Sequence, residues 1–360
     1  MTAADQVPRR AVDPPSSALE KSLVDIWTEV LEVPQVGVHD NFFDLGGTSR
    51  AAAEMLSVLE EQFACTLPMD LVGEASTVAE LADRLRVDGR VRGGALGLVR
   101  LSPGGAGTNF FCVHGMGGHV LVFAELARRL AGEVSFYAFE SANRYVDDDE
   151  PASIAGMAER YLREVRRIQP RGPHHLGGYS MGGLVALEMA HRLATDGEPA
   201  GMVALLDTDL VQIRTPVEPR AIDFVSRALG VTPPVSMPME QLGAAAELIR
   251  ARLVEQTGRP CRLSVAAISR FAHAYVRNQS AVEGYQIPDH DGDVRLFYST
   301  RGPHEAARER ADVLRLTGWA GTALADRMTV VPIESDHWTL LSASVEALSE
   351  QLRRALVPGR

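Results

Sequence analysis

No stretch of these 360 residues is apolar for the roughly 20 positions needed to cross a bilayer, so no membrane association is expected. Cysteine is scarce. Cys65, Cys112 and Cys261 stand far apart with neither a CxxC pair nor Cys/His ligand spacing, which argues against a disulfide framework and a zinc site. No metal is expected, and the thiols read as small buried apolar groups of a protein in a reducing cytoplasm. The opening "MTAADQVPRRAVDPPSSALE" lacks the apolar core of a secretory signal. A basic stripe able to receive phosphates is also missing, so nucleic acid is not an expected partner.

What is present is an ordinary globular composition, 46% hydrophobic and 23% charged, in a chain long enough for two unequal domains. The net charge of -11 is unevenly spread: residues 1–90 hold 16 acids against 7 bases, and the remainder 31 against 29. An acidic lobe therefore adjoins a nearly neutral one, which suits solubility or docking to basic protein surfaces.

Residues 1–18, with Pro8, Pro14, Pro15, Ser16 and Ser17, read as a flexible lead-in. Apolar residues then recur at helical spacing in three stretches: Leu23, Ile26, Trp27, Val30 and Leu31; Ala52, Ala53, Leu56, Leu59 and Phe63 in a helix from Ser49; and Val78, Leu81, Ala82 and Leu85. They form a small all-α unit. The Gly- and Arg-rich "RVDGRVRGGALG" reads as a linker. Beyond it, "NFFCVHG", "VSFYAFE", "HHLGGYS" and "MVALLD" read as strands alternating with amphipathic helices, the pattern of parallel βαβ units. Residues 211–288 interrupt this with three helical stretches, expected to lie as a lid over the sheet's carboxyl edge. Its apolar lining is expected from Leu229, Leu242, Ile249, Leu253, Phe271 and Tyr275. "VRLFYST" and "RMTVVPIES" resume the strands before a last helix.

Two near-identical pentapeptides stand out, "LGGTS" ending at Ser49 and "LGGYS" ending at Ser180. Their flanks share nothing else, so they are not an internal repeat. Ser180 lies in G-x-S-x-G between a strand and a helix, where an abrupt turn strains the serine backbone and demands small residues at Gly178 and Gly182. That turn sets the hydroxyl above the sheet as a nucleophile, with the backbone N–H of Met181 facing developing negative charge. A serine needs a base and an orienting acid. His337, between the last strand and last helix, is the base expected; His174, His175, His191, His273, His290 and His304 read as surface or helix-end residues. Asp207, at the end of "MVALLD", is the acid expected and Asp209 the runner-up, because after "VRLFYST" no carboxylate appears until Glu305. Asp336 reads as a loop or capping residue. In "FCVHGMGGH" the backbone N–H of Met116 is the second oxyanion donor, and His114 reads as structural rather than as a rival base.

Ser49 has no preceding strand and runs straight into an ordinary helix. Its glycine pair and helix N-terminus suit a serine that carries a phosphate ester, against the plainer reading of an N-cap.

The segment "DNFFDLGGTS", with "LEKSLVDIWTEVLEV" before it and "LVGEASTVAELADRL" after it, resembles the peptidyl or acyl carrier domains of non-ribosomal peptide and polyketide synthases over about residues 19–87. The resemblance implies 4′-phosphopantetheine esterified to Ser49, with Thr48 departing from the His or Asp more usual at its position. Residues 98–358 resemble the type I thioesterase domains that end such synthases. This implies a small all-α carrier helical bundle, a linker at 88–97, and an α/β-hydrolase domain at 98–360 with a mostly parallel sheet, helices on both faces and a helical lid insertion at about 211–288. It also implies Ser180 as acyl acceptor, Asp207 as acid, His337 as base and the Met116 and Met181 N–H groups as oxyanion hole. The implied partners are an acyl or peptidyl thioester substrate, a phosphopantetheinyl transferase, and upstream condensation and adenylation domains, of which this sequence shows none. Release by hydrolysis or macrocyclisation is the expected activity. Acyl transfer to a separate alcohol or amine, editing of misloaded carriers, and a non-catalytic docking module are the rivals.

Overall fold

The computed structural model describes residues 13–63, 67, 69, 71–87, 98–102, 107–141, 153–214, 220–232, 239–307 and 309–357. The expected lead-in up to residue 12, the expected linker 88–97 and Cys65 lie outside the described residues. By its internal packing the chain divides into two compact units, Met1–Gly94 and Ala95–Arg360.

The first unit is helical: α1 (Ala18–Leu31), α2 (Ser49–Phe63), the single turn α3 (Leu71–Glu74) and α4 (Val78–Val87). Ser17 starts α1 with a capping box, its hydroxyl accepting the Glu20 N–H at 3.2 Å while the Glu20 carboxylate accepts the Ser17 N–H at 3.2 Å. The expected apolar stripes meet in one core. Leu23, Trp27, Leu59 and Leu81 are fully buried, joined by Phe42, whose ring meets that of Trp27 edge-on at 5.0 Å. Each such side chain contributes about 1.5–3 kcal/mol of burial energy to holding the helices together.

The second unit is built on a seven-stranded sheet of order β1-β3-β2-β4-β5-β6-β7, with β1 (Leu98–Ser102), β2 (Thr108–Val113), β3 (Val134–Phe139), β4 (His175–Tyr179), β5 (Met202–Leu206), β6 (Val294–Ser299) and β7 (Thr329–Ile333). All neighbours are parallel except β1, which runs antiparallel to β3 at the edge. β1 is not among the strands read from the sequence. Only Val99 and Ser102 of its five residues are buried, too little pattern for a strand to declare itself.

Every residue of β3 and of β5 is buried, which requires cover on both faces and explains why "VSFYAF" and "MVALL" read as unbroken apolar runs. The cover comes from α5 (Ala124–Leu130) packed with α13 (Val345–Leu356), and α6 (Ile154–Ile168) packed with α7 (Gly182–Thr195). Between β5 and β6 the chain inserts the turn α8 (Leu210–Ile213) and three longer helices, α9 (Arg220–Ala228), α10 (Leu242–Thr257) and α11 (Val265–Val282). α12 (Arg310–Leu316) lies between β6 and β7. No helix among the described residues is long and apolar enough to cross a membrane.

Candidate active site

Four strand ends of the parallel sheet deliver the site. β4 ends at Tyr179 and α7 begins at Gly182, so Ser180 sits on the turn between them with φ 55°, a left-handed conformation that costs a non-glycine residue about 1–3 kcal/mol. Its neighbours must be glycine. A Cβ on Gly178 would stand 2.1 Å from the Gly182 carbonyl, and one on Gly182 would stand 2.4 Å from the carbonyl oxygen of His114. The turn is held by the Ser180 N–H donating to the Leu206 carbonyl at 2.8 Å and the Gly183 N–H donating to the Ser180 carbonyl at 3.1 Å.

Asp207 leaves the end of β5 in a second left-handed turn, φ 50°. Its buried carboxylate is fully engaged: Oδ2 accepts from His337 Nδ1 at 2.7 Å and Oδ1 accepts the Ser299 N–H at 2.7 Å. Burial pushes this carboxyl up. The hydrogen bond and charge of His337, the Ser299 N–H and the charge of His304 together outweigh it and hold Asp207 below its ordinary value.

His337 follows β7 and is gripped from the side of Ser180. Tyr179 donates its hydroxyl to the His337 carbonyl oxygen at 2.5 Å and stacks its ring on the imidazole, 4.9 Å between centroids and 18° between planes. With Nδ1 committed to Asp207, Nε2 is left free of any hydrogen bond among the described residues. Ser180 Oγ and His337 are likewise not hydrogen-bonded to each other here. Both line one cavity of about 1000 Å³, as do Asp207, Met116, Asp209, Phe224, Tyr275 and Trp338. Contacts of a serine with its base often tighten only when substrate is bound.

Met116 presents its backbone from the loop after β2, and Met181 occupies the N-cap position of α7 with its side chain fully buried. Among the described residues neither N–H has an acceptor, which leaves both available to a bound oxyanion. The Met116 carbonyl is tied to the helical insertion, accepting from the buried Asn278 of α11 at 2.8 Å. His114 is fully buried: Nδ1 donates to the Gly115 carbonyl at 2.8 Å and Nε2 meets the Tyr161 hydroxyl at 2.9 Å, so both ring nitrogens are engaged. Asp336 Oδ1 accepts the N–H groups of Trp338 and Thr339 at 2.9 and 3.0 Å, and so shapes the loop that carries His337.

Two expectations need correction. Of the six residues expected to line the cavity, only Tyr275 does; Leu229, Leu242, Ile249, Leu253 and Phe271 are buried but away from it, with the Phe271 ring against His119. The lining instead takes Phe224 of α9, packed 4.5 Å from Tyr275 and 5.5 Å from Trp338. His174, His290 and His304, expected at the surface or at helix ends, are buried, and His304 does end the short helical turn Gly302–His304. Tyr179 and the Ser299 N–H were invisible in the sequence for different reasons. Tyr179 sits in the motif beside Ser180, yet its target is a main-chain carbonyl, and Ser299 contributes only backbone.

At the other serine the glycine pair has two jobs. Gly46 has φ 91°, and a Cβ on Gly47 would lie 2.3 Å from the Phe42 ring. Thr48 Oγ1 accepts the Ala51 N–H at 3.2 Å and so supplies the cap of α2. Ser49 is therefore not the cap; it is the first helical residue, partly exposed, with a hydroxyl that bonds to no described residue. A partly exposed, uncommitted hydroxyl at a helix N-terminus fits a phosphodiester.

Comparison with known proteins gives the same two-part division. Residues 108–356 match the thioesterase domain family and residues 21–85 the phosphopantetheine attachment site family. Over 291 residues, 79% of this chain, the sequence is 30% identical to a dimodular nonribosomal peptide synthase of Bacillus subtilis (strain 168). This chain spans 12% of the length of that relative. Among solved structures, holo-AB3403, a four-domain nonribosomal peptide synthetase bound to AMP and glycine, superposes on all of this chain and 27% of its own with a TM-score of 0.63; at 22% identity the likeness is one of fold. The NocB thioesterase domain, in a covalent complex with a fluorophosphonate nocardicin G analog, is 26% identical with a TM-score of 0.51 over 69% of this chain and 94% of its own.

Proposed function

This chain belongs to the thioesterase domain family, preceded by a phosphopantetheine attachment domain as in nonribosomal peptide synthetases, and from that premise we propose that it releases an acyl or peptidyl chain from a carrier thioester through a Ser180 acyl-enzyme. The observation that carries this reading is the hydrogen-bonded Asp207–His337 pair on the wall of the cavity that also holds Ser180.

His337 Nε2 takes the Ser180 hydroxyl proton as Oγ attacks the thioester carbonyl, and the N–H groups of Met116 and Met181 stabilise the oxyanion. Asp207 holds the imidazole in the tautomer with its proton on Nδ1 and stabilises the imidazolium once formed. His337 then returns the proton to the departing thiolate, leaving the acyl group esterified to Ser180. Water, or an amine or hydroxyl of the same chain, attacks that ester with His337 again as base, giving a free acid or a macrocycle. A cavity of about 1000 Å³ walled by Phe224, Tyr275 and Trp338 suits a folded, partly apolar chain.

The carrier region, taken as 19–87, would hold 4′-phosphopantetheine on Ser49 after loading by a phosphopantetheinyl transferase, and the group when bound supplies the thiol that carries the acyl chain. Upstream condensation and adenylation modules of a longer synthase would supply that chain. The test is to load acyl-pantetheine panels on Ser49 and identify the products by mass. A free acid or ring that disappears in Ser180→Ala supports the reading; an adduct with an added nucleophile favours transfer; unchanged release in Ser180→Ala refutes it.

A further inference from the structure

Beside the Asp207–His337 pair lies a second buried His–Asp pair that the proposed chemistry does not use. His304, 2% exposed, points Nε2 at Asp209 Oδ2 at 2.8 Å and Nδ1 at the Ser299 carbonyl at 3.1 Å. A carbonyl oxygen only accepts, and the Asp209 carboxylate is kept an acceptor by the Gln212 N–H at 3.0 Å and the Gln212 side-chain amide at 2.8 Å. Both ring nitrogens must therefore donate, which makes His304 an imidazolium. The contrast with His114 is direct: there one partner is a hydroxyl that can donate, and a neutral ring suffices.

The two pairs share a residue. Ser299 gives its N–H to Asp207 and its carbonyl to His304. They also share a turn, because the Asp209 N–H donates to the Asp207 carbonyl at 3.1 Å and Asp209 caps α8. Resting on the catalytic reading above, we propose that His304 is a positioning residue: its positive charge, anchored by Asp209, holds the strained turn at Asp207 in register with Ser299. The turn after β6, where the sequence offered no carboxylate, supplies a cation instead.

The charged and titratable groups around His304 are consistent with this role. Asp207 and Asp209 face it from the turn after β5, and the Tyr298 ring of β6 lies edge-on at 6.4 Å. Glu305 follows it in its own turn. On α12, Arg310 donates to the Met328 carbonyl and Arg315 pairs with Asp312 at 3.5 Å, so these charges are directed elsewhere. Burial lowers the affinity of His304 for its proton, but the Asp209 hydrogen bond and charge, the Ser299 carbonyl and the charge of Asp207 reverse this and raise its pKa.

The test uses the full chain. A fluorophosphonate probe should label Ser180, and in His304→Gln labelling at neutral pH should slow roughly tenfold as the acid drifts out of register. Its acid limb should move to higher pH by about half a unit, because the charge opposing proton uptake by the Asp207–His337 couple is gone. For a thioester substrate kcat should fall with KM unchanged. Combining His304→Gln with Asp209→Asn should cost no more than either change alone. Labelled Ser180 with an unmoved profile in His304→Gln overturns the positioning role alone; no labelling of the unaltered protein overturns the catalytic reading and the proposal together. Nitrogen NMR of the unaltered protein at neutral pH provides a check that needs no variant: a doubly protonated His304 supports the proposal, and a neutral ring refutes it.

Discussion

The two serines that end "LGG" pentapeptides show how little of a residue's chemistry lies in its immediate letters. Ser49 opens an ordinary helix, its cap supplied by Thr48, and its hydroxyl stands uncommitted at the edge of a helical unit. Ser180 is bent to φ 55° between a strand and a helix, on the wall of a cavity it shares with a hydrogen-bonded His–Asp pair. The following residues decide: Arg50 and Ala51 continue a helix, whereas Gly182 lets helix α7 lie so near the loop after β2 that a Cβ there would stand 2.4 Å from the His114 carbonyl oxygen. One hydroxyl suits attachment, and the other suits attack.

The sharpest way to break this division is to remove each hydroxyl in turn. Ser180→Ala should lower acyl release by about 10⁴-fold or more while leaving phosphopantetheine loading intact. Ser49→Ala should abolish the mass gain on incubation with a phosphopantetheinyl transferase while turnover of a small soluble thioester continues. Loss of both activities in either variant would end the separation of roles. Next in size, Asp207→Asn should reduce turnover by about 10³- to 10⁴-fold with the fold intact by circular dichroism, since it leaves the imidazole in the wrong tautomer.

Smaller effects test the supports. Gly182→Ala must push its Cβ against the His114 carbonyl, and should destabilise the α/β unit by about 1–3 kcal/mol in denaturant titration. Thr48→Ala removes the cap of α2 and should cost the helical unit about 1 kcal/mol without preventing loading of Ser49. If loading failed there too, Thr48 would be part of the attachment site and not merely its scaffold. The least change is expected from pH. His304 has a raised pKa in the folded state, so the stability it contributes is complete below its unfolded value and is lost as pH rises through the folded one. The melting temperature of the α/β unit should decline as pH rises above the ordinary histidine range, and His304→Gln should flatten that decline. Asp207 acts in the opposite sense, its contribution present above the ordinary carboxylate range and lost as pH falls below it.

Much of this architecture was legible because burial on both faces of a parallel sheet leaves continuous apolar runs, as in "VSFYAF", and because helices bury a stripe. The strand-turn-helix at Ser180 was legible for a steric reason, since only glycine at 178 and 182 lets the chain fold there. What stayed hidden lacks a side-chain signature or depends on distant partners. β1 is short and half exposed. The lid's apolar residues could not be sorted between its own core and the cavity, because a helix repeats the same residues for either purpose, and Phe224 was missed for that reason. The burial of His304, read as a surface or helix-end residue, was hidden because its partner, Asp209, lies 95 positions earlier in the chain.

Tyr179 has a mechanical meaning. Its backbone is continuous with that of Ser180, while its ring and hydroxyl hold His337 by face and by carbonyl. Strands β4 and β7 are separated in the sheet by β5 and β6, so sliding within the sheet would otherwise change the gap between the two residues that exchange a proton in the proposed reaction. With Tyr179 as a shared mount, the two recoil together, and their spacing is insulated from the breathing of the sheet that carries them.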